Sequence, residues 1–316
     1  MTFPRSNAGD WHCQHAAGDP EDKVAAMKPA HPDLSDPDSV SSIAAFMEQA
    51  KAERGVRDEK LRLPPTEVMY RTAMGRSEEI KRNNQRDKAR LYDEQRTASV
   101  RIARALDLAV LKPTAGRRDV EAAAALVNQH GICSLCVPSS FVPLASNLTA
   151  RVCSVVGFPH GNACLTAKVD EAGEALYYGA VELDVVVSYG RFMEGNPDPV
   201  VSELTQIVNI AHPRRAIVKA ILETCCLSLP QIADLCRLCA DCGVDYVKTS
   251  TGFSTGGADT AGVACMISAV GGRCLIKASG GIDCYEKAMT FLNLGCARIG
   301  ASKYLELLPN VDLYRG

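Results

Sequence analysis

The chain has 316 residues, with 35 Lys+Arg against 37 Asp+Glu for a net charge of -2, and so lacks the one-signed surplus that engages nucleic acid or an anionic membrane. Hydrophobic residues make up 47% but aromatics only 5%, which describes a core of Ala, Val, Leu and Ile, the composition of α/β proteins with buried parallel strands. Fourteen Cys occur without an apolar leader or a bilayer-length run, so reduced thiols and a cytoplasmic location are expected.

Residues 1 to about 40 are rich in Pro, Asp, Ser and His and show no period of either kind, so a loosely attached segment is expected. Arg5 is soon followed by Asp10, Glu21 and Asp22, which argues against an organellar presequence. Ser41 to Arg54 is compatible with a helix that has Ile43, Phe46 and Met47 on one stripe, and Pro64-Pro65 interrupts helix nearby. From Ser77 to about Leu106 the pattern is strongly helical, with Glu78, Lys81, Arg86, Lys88, Arg90 and Glu94 on a solvated face. The division expected is a polar, partly helical extension over 1–98, a strand–helix domain over 99–308 and a tail over 309–316.

Beyond Ala103 one unit repeats: a short apolar β-prone run, a polar loop, then an Ala/Leu-rich helical stretch. The runs are Ala103–Leu108, Ile132–Val137, Val152–Phe158, Val181–Val187, Ala216–Leu222, Val244–Thr249, Cys274–Ala278 and Ala297–Gly300. Eight such units predict a closed (β/α)8 TIM barrel, with chemistry at the C-terminal ends of the strands. An open doubly wound sheet would place its phosphate glycines after the first strand; here they follow the sixth and seventh.

Charged residues inside these apolar runs are the candidates for function, because burying a charge needs a partner or a task. Asp107 falls in the first run, Asp184 in the fourth, Lys219 in the fifth, Lys248 in the sixth and Lys277 in the seventh. The period of two puts Glu182 and Asp184 on one face, and likewise Tyr246, Lys248 and Ser250. Three lysines and two aspartates converging at the barrel mouth are expected to neutralise one another. Hydroxyls and glycines follow Lys248 in Thr249-Ser250-Thr251-Gly252-Phe253-Ser254-Thr255-Gly256-Gly257, where bare backbone N–H groups can approach an anion. A buried amine beside an anion cradle points to covalent carbonyl chemistry on a phosphorylated substrate.

Six segments in order, DLAVLKP (107–113), VGFPHG (156–161), ELDVVV (182–187), ILETC (221–225), VKTSTGFSTGGA (247–258) and IKASGG (276–281), resemble the deoxyribose-phosphate aldolase family over about 103–303. The resemblance implies a TIM-barrel class I aldolase that interconverts 2-deoxy-D-ribose 5-phosphate with glyceraldehyde 3-phosphate and acetaldehyde. It implies Lys248 as the Schiff-base lysine, Lys277 as the second lysine and Asp184 as the proton-relay carboxylate. The family's phosphate loops fall on Gly252, Phe253, Gly280, Gly281, Gly300 and Ser302. Two positions depart from the pattern: Ala109 stands where a threonine is frequent, and Asp283 where a basic residue is frequent after the paired glycines. An acid beside a phosphate is unfavourable, so Asp283 is expected to point away or to weaken that site.

A lysine with the ordinary pKa near 10.4 is a free amine about once in 2,500 at pH 7, and lowering that pKa by roughly 3 units, at about 4 kcal/mol, makes a large fraction reactive. Burial and a neighbouring ammonium on Lys277 both act in this direction. Asp107 and Lys219 are expected to hold the array in place, with Cys136 and Thr251 as supporting positions and Cys136 chiefly a small buried filler. Cys236, Cys239 and Cys242 have the spacing of an iron–sulfur run, but Tyr246 and Val247 stand where its last Cys-Pro would be; three thiols on one helical stripe facing the barrel is the expectation. His160 is a lone histidine and not a metal site, and Tyr314 belongs to the tail. No metal or organic cofactor, nucleic acid or membrane is called for. The partners expected are phosphosugar and aldehyde substrates and, for the chain itself, a homodimer or higher homo-oligomer. An acid–base phosphosugar isomerase or a related lysine-dependent aldolase is the alternative, the isomerase needing a carboxylate or histidine base and no reactive lysine.

Overall fold

A computed structural model describes residues 66–309. The expectations placed on 1–65, and Tyr314 with most of the 309–316 tail, lie outside the described residues. Helix α1 (Thr66–Ala105) shows Arg86, Lys88, Arg90 and Glu94 to solvent as anticipated. It runs through the alanines expected to open the first strand. Alanine is the best helix former, and Ile102, Ala103 and Ala105 give the last turns a buried stripe.

Eight parallel strands follow: β1 (Leu106–Ala109), β2 (Ser134–Val137), β3 (Val152–Val156), β4 (Glu182–Val186), β5 (Ile217–Ile221), β6 (Tyr246–Lys248), β7 (Leu275–Ser279) and β8 (Arg298–Ala301). Each pairs with the next, and β8 pairs with β1, closing the barrel. The connecting helices include α2 (Arg117–His130), α3 (Val142–Ser146), α4 (Leu165–Tyr177), α5 (Tyr189–Met193), α6 (Asp198–Ala211), α7 (Leu229–Asp241), α8 (Thr260–Val270) and α9 (Tyr285–Leu294). Of these, α3 and α5 are only five residues long, too short for a helical period to register in the sequence.

The alternation of each strand divides the protein into two interiors. Leu106, Leu108, Leu135, Val137, Leu183, Val185, Val218, Ala220, Val247, Ile276, Ala278 and Ile299 face the helices and form one continuous apolar cluster with them. The opposite face points into the barrel, where many barrels place branched aliphatics. Here it holds Asp107, Ser134, Cys136, Cys153, Glu182, Asp184, Lys219, Tyr246, Lys248, Lys277 and Arg298, all less than a tenth exposed. The apolar cluster between sheet and helices thus stabilises the fold, while the barrel centre is polar. Cys236 and Cys239 are wholly buried on α7 and belong to the apolar cluster, and Cys242, just beyond the helix end and only half-buried, packs against the same cluster. Burial pushes all three thiols up. No helix among the described residues is long and apolar enough to cross a membrane.

Candidate active site

Strand register brings the charges together. Asp184 on β4 is paired with Lys219 on β5, Lys248 on β6 with Lys277 on β7, and Lys277 with Arg298 on β8. Asp184 is the hub: its Oδ2 accepts from Lys248 Nζ at 2.7 Å and from Lys277 Nζ at 2.7 Å. Its Oδ1 accepts from Lys219 Nζ at 2.8 Å and from the Cys153 thiol at 3.2 Å. Lys219 also contacts Glu182 at 2.6 Å and Asp107 at 3.3 Å. Asp107 further binds Lys277 and Arg298, and its Oδ1 accepts the Ser134 hydroxyl at 2.7 Å. Arg298 Nη2 reaches Glu182 at 2.9 Å and its guanidinium lies 5.8 Å from the Tyr246 ring centroid.

Three lysines against two aspartates leave one cation over, so the expected mutual neutralisation is not complete. Glu182 and Arg298 join it, and four cations face three carboxylates. Burial opposes the charge of Asp184, but Lys219, Lys248 and Lys277 outweigh it and hold its carboxyl well below the ordinary range. Asp107 is depressed for the same reason, by Lys219, Lys277 and Arg298. Burial likewise opposes the charge of Lys277 and Lys219, yet Asp107 and Asp184 raise both above the usual lysine value. Lys277 is thus held as an ammonium beside Lys248, as the sequence argument required of it.

A cavity of about 500 Å3 opens above this network, lined at its base by Asp107, Cys136, Lys248 and Lys277 and at its rim by Thr251, Gly252, Phe253, Gly280, Gly281, Gly300 and Ser302. Every sequence candidate except Asp184 and Lys219, which lie beneath, reaches it. The loops after β6 and β7 interlock: Ala258 N–H donates to Ser279 O and Gly280 O at 3.1 Å each. A Cβ on Gly257 would stand 2.2 Å from the Gly280 carbonyl oxygen, so only glycine admits this approach. Gly252 and Gly280, at φ +84° and +86°, turn the chain in the left-handed region. The Phe253 N–H donates to Thr251 Oγ1 at 3.1 Å, and its half-exposed ring stands edge-on to Phe158 at 5.2 Å. Asp283 lines the rim too, but Lys287, one turn on, binds it at 2.7 Å and holds its carboxyl below the ordinary range. Lys112 and Lys303 add cationic groups to the lining.

Cys136 is buried at the cavity base beside Cys153, its register partner on β3. The Cys153 hydrogen bond pulls the Cys136 thiol down, whereas burial pushes Cys153 well up. Sequence reasoning missed Arg298, Ser134, Cys153 and Glu223. Only Glu223 had a readable signal, in the ILETC segment; its buried carboxylate takes the Thr251 hydroxyl at 2.5 Å. His160 lines a separate cavity of about 800 Å3 between the loops after β3 and β4, to which none of the three barrel lysines contributes.

A buried amine at a cavity floor, beside a fixed ammonium and a fixed carboxylate, is equipped to form and hydrolyse imines. Residues 97–298 match the family model described as DeoC/LacD family aldolase. The chain belongs to the DeoC/LacD aldolase family. A deoxyribose-phosphate aldolase of Carboxydothermus hydrogenoformans is 36% identical over 220 residues, which is 68% of this chain and 96% of the relative. Among solved structures, a deoxyribose-phosphate aldolase so assigned in Coccidioides immitis superposes with a TM-score of 0.65 at 32% identity, covering 69% of this chain and 87% of that one. The tetrameric deoxyribose phosphate aldolase of Aeropyrum pernix gives 0.61 at 32% identity, covering 66% and 89%. This aldolase therefore carries, ahead of its barrel, a segment of chain outside the match.

Proposed function

We infer that this aldolase cleaves 2-deoxy-D-ribose 5-phosphate reversibly to D-glyceraldehyde 3-phosphate and acetaldehyde through an imine on Lys248. The observation that carries the reading is the placement of Lys248 Nζ. Among the three barrel lysines it is the most accessible, at 3% against 0% for Lys219 and 1% for Lys277, and it shares Asp184 Oδ2 with Lys277.

The open-chain sugar enters with its C1 aldehyde toward the floor and its phosphate at the glycine rim. Lys248 adds to C1, and water is lost to give the protonated imine. The C3 hydroxyl then gives up its proton, C2–C3 breaks, and the bonding pair moves into the imine to leave an enamine on Lys248 and a C3 aldehyde on the departing triose phosphate. Protonation of the enamine at C2 and hydrolysis release acetaldehyde and restore the amine. Protons pass between Asp184 and the reacting atoms by way of a water, with the Lys277 ammonium on the same carboxylate oxygen. Asp107 and Lys219 hold these groups in register. Gly252, Gly280, Gly281, Gly300 and Ser302 supply the phosphate seat, with Lys303 and Lys112 as nearby positive charge. Asp283 is neutralised by Lys287 and does not face the phosphate as a free acid. The active form is a homo-oligomer in the cytoplasm, in keeping with the tetrameric Aeropyrum relative and the sequence expectation.

Two measurements test this. A coupled assay should register glyceraldehyde 3-phosphate on addition of deoxyribose 5-phosphate. Borohydride with acetaldehyde should inactivate the protein and label Lys248 alone. Label on another residue overturns the assignment, and no label at all would favour an acid–base isomerase.

A further inference from the structure

Cys225 and Cys226 take no part in the chemistry above. They end the single 3-10 turn Thr224–Cys226 that follows β5, and both are free thiols, Cys225 exposed and Cys226 partly so. Their Sγ atoms lie 4.0 Å apart. Two sulfurs on one pyramidal trivalent centre with bonds of about 2.3 Å stand roughly 3.4 Å apart, so closing the pair onto such an atom takes a shift of about half an ångström, which rotation of the two side chains supplies. A direct disulfide suits it less well. Neighbouring Cα atoms across a trans peptide are about 3.8 Å apart, below the roughly 4.4 Å lower end of disulfide spacing. The geometry favours a soft atom bridging the two sulfurs over a bond between them.

The choice of ligand follows from how few donors are at hand. A zinc ion asks for four ligands, and the nearest carboxylate, Glu223 Oε1 at 3.9 Å from Cys225 Sγ, is committed to Thr251. A trivalent organoarsenical is completed by two thiols. The turn also touches the active-site rim: Cys226 Sγ is 3.8 Å from Ser254 Oγ, and a Cβ on Gly256 would stand 2.8 Å from Cys225 Cβ. Glu223, which precedes the turn, holds Thr251 by its hydroxyl at 2.5 Å, and Thr251 in turn orders the Phe253 amide.

We propose that Cys225 and Cys226 form a two-thiol site for thiophilic trivalent arsenicals, and that its occupation disturbs the loop after β6 at the substrate seat. The reaction is condensation without redox. Two S–H and one As=O bond break, two As–S bonds form, and the oxo group leaves with both protons as water while arsenic stays trivalent. Burial pushes the Cys226 thiol up, so it brings its proton to that exchange.

The full-length protein is treated with phenylarsine oxide and read by intact mass, by peptide mapping and by aldolase kinetics. One phenylarsenic unit is expected on the peptide holding 225–226, removed by a small dithiol. Cys225→Ser and Cys226→Ser should each lower affinity about 100-fold or more, the loss of the intramolecular second bond. KM for the phosphosugar should rise severalfold on occupation, with a smaller change in kcat. An adduct on Cys136 and Cys153 instead, or affinity unchanged in both serine variants, overturns the site. An adduct at 225–226 with KM unchanged overturns its coupling to the rim. The mass reading needs no activity, so failure of the site and failure of the assigned reaction are distinguishable; Cys225→Ala serves if a serine variant does not fold.

Discussion

Two clusters of buried charge sit against this sheet, and they are built differently. Beneath the loop after β4, Lys168 and Glu203 form a lone pair with side chains 0% and 2% exposed. Lys168 spends its three hydrogens on Glu203 at 2.6 Å, Val186 O at 2.9 Å and Ser188 Oγ at 3.2 Å. Glu203 in return accepts the Ser188 amide at 2.7 Å and hydroxyl at 2.9 Å. One cation meets one anion, and the result is a rivet that fixes the end of β4. At the barrel centre four cations meet three carboxylates under an open cavity, and two lysines share one oxygen. The first pair is closed off by its own partners, whereas the second cluster keeps one cation in excess beside a cavity.

The sharpest way to break this contrast is to remove the surplus. Lys248→Met should abolish aldol cleavage by at least about 10^4-fold, as for nucleophiles of other covalent enzymes. Because it leaves three cations to three carboxylates, its thermal midpoint should hold or rise; a large fall would show that Lys248 belongs to the scaffold. Asp184→Asn should cost about 10^2 to 10^4-fold in kcat, the range for lost proton transfer, and should also lower the melting temperature by leaving lysines without their shared acceptor. Lys168→Met is the reverse experiment: a buried Glu203 without its partner should lose about 3–5 kcal/mol in urea unfolding, with kcat per folded molecule unchanged.

Smaller effects come from pH. The folded-state pKa of Asp184 and Asp107 lies below the unfolded value, so their contribution is complete above about pH 4 and is lost as pH falls further. The raised pKa of Lys277 and Lys219 works at the other end: stability is present below their ordinary values and is lost as pH rises past about 10.4. Urea midpoints measured at pH 3, 7 and 11 should therefore peak at 7, and Asp184→Asn should flatten the acid limb. Smallest of all, Asp283→Asn should release Lys287 and lower KM for the phosphosugar by about two- to fivefold, an advantage that salt erases. A rise in KM would mean that Asp283 orders the rim.

Much of this protein was legible from the chain alone. Eight β-prone runs alternating with helices determined the barrel, since parallel strands buried on both faces must be joined by helical crossovers. Lysines and acids inside apolar runs determined where the chemistry lies, since a charge is tolerated there only with a partner. Asp107, Asp184, Lys219, Lys248 and Lys277 could be named for that reason; the family resemblance singled out Lys248, Lys277 and Asp184 among them, and the structure brings these three within hydrogen-bond distance. Other features were set only when the barrel closed. Arg298 opens a short run of ordinary residues, and its partner Asp107 is 191 positions away; only the β8–β1 register makes them neighbours. Glu182 shared a predicted face with Asp184, yet its contact with Lys219 depends on β5 lying alongside. The sharing of Asp107, Asp184 and Glu182 among Lys219, Lys248, Lys277 and Arg298 is a property of strand register. Local sequence sets which face a side chain takes; closure decides which charges that face must share.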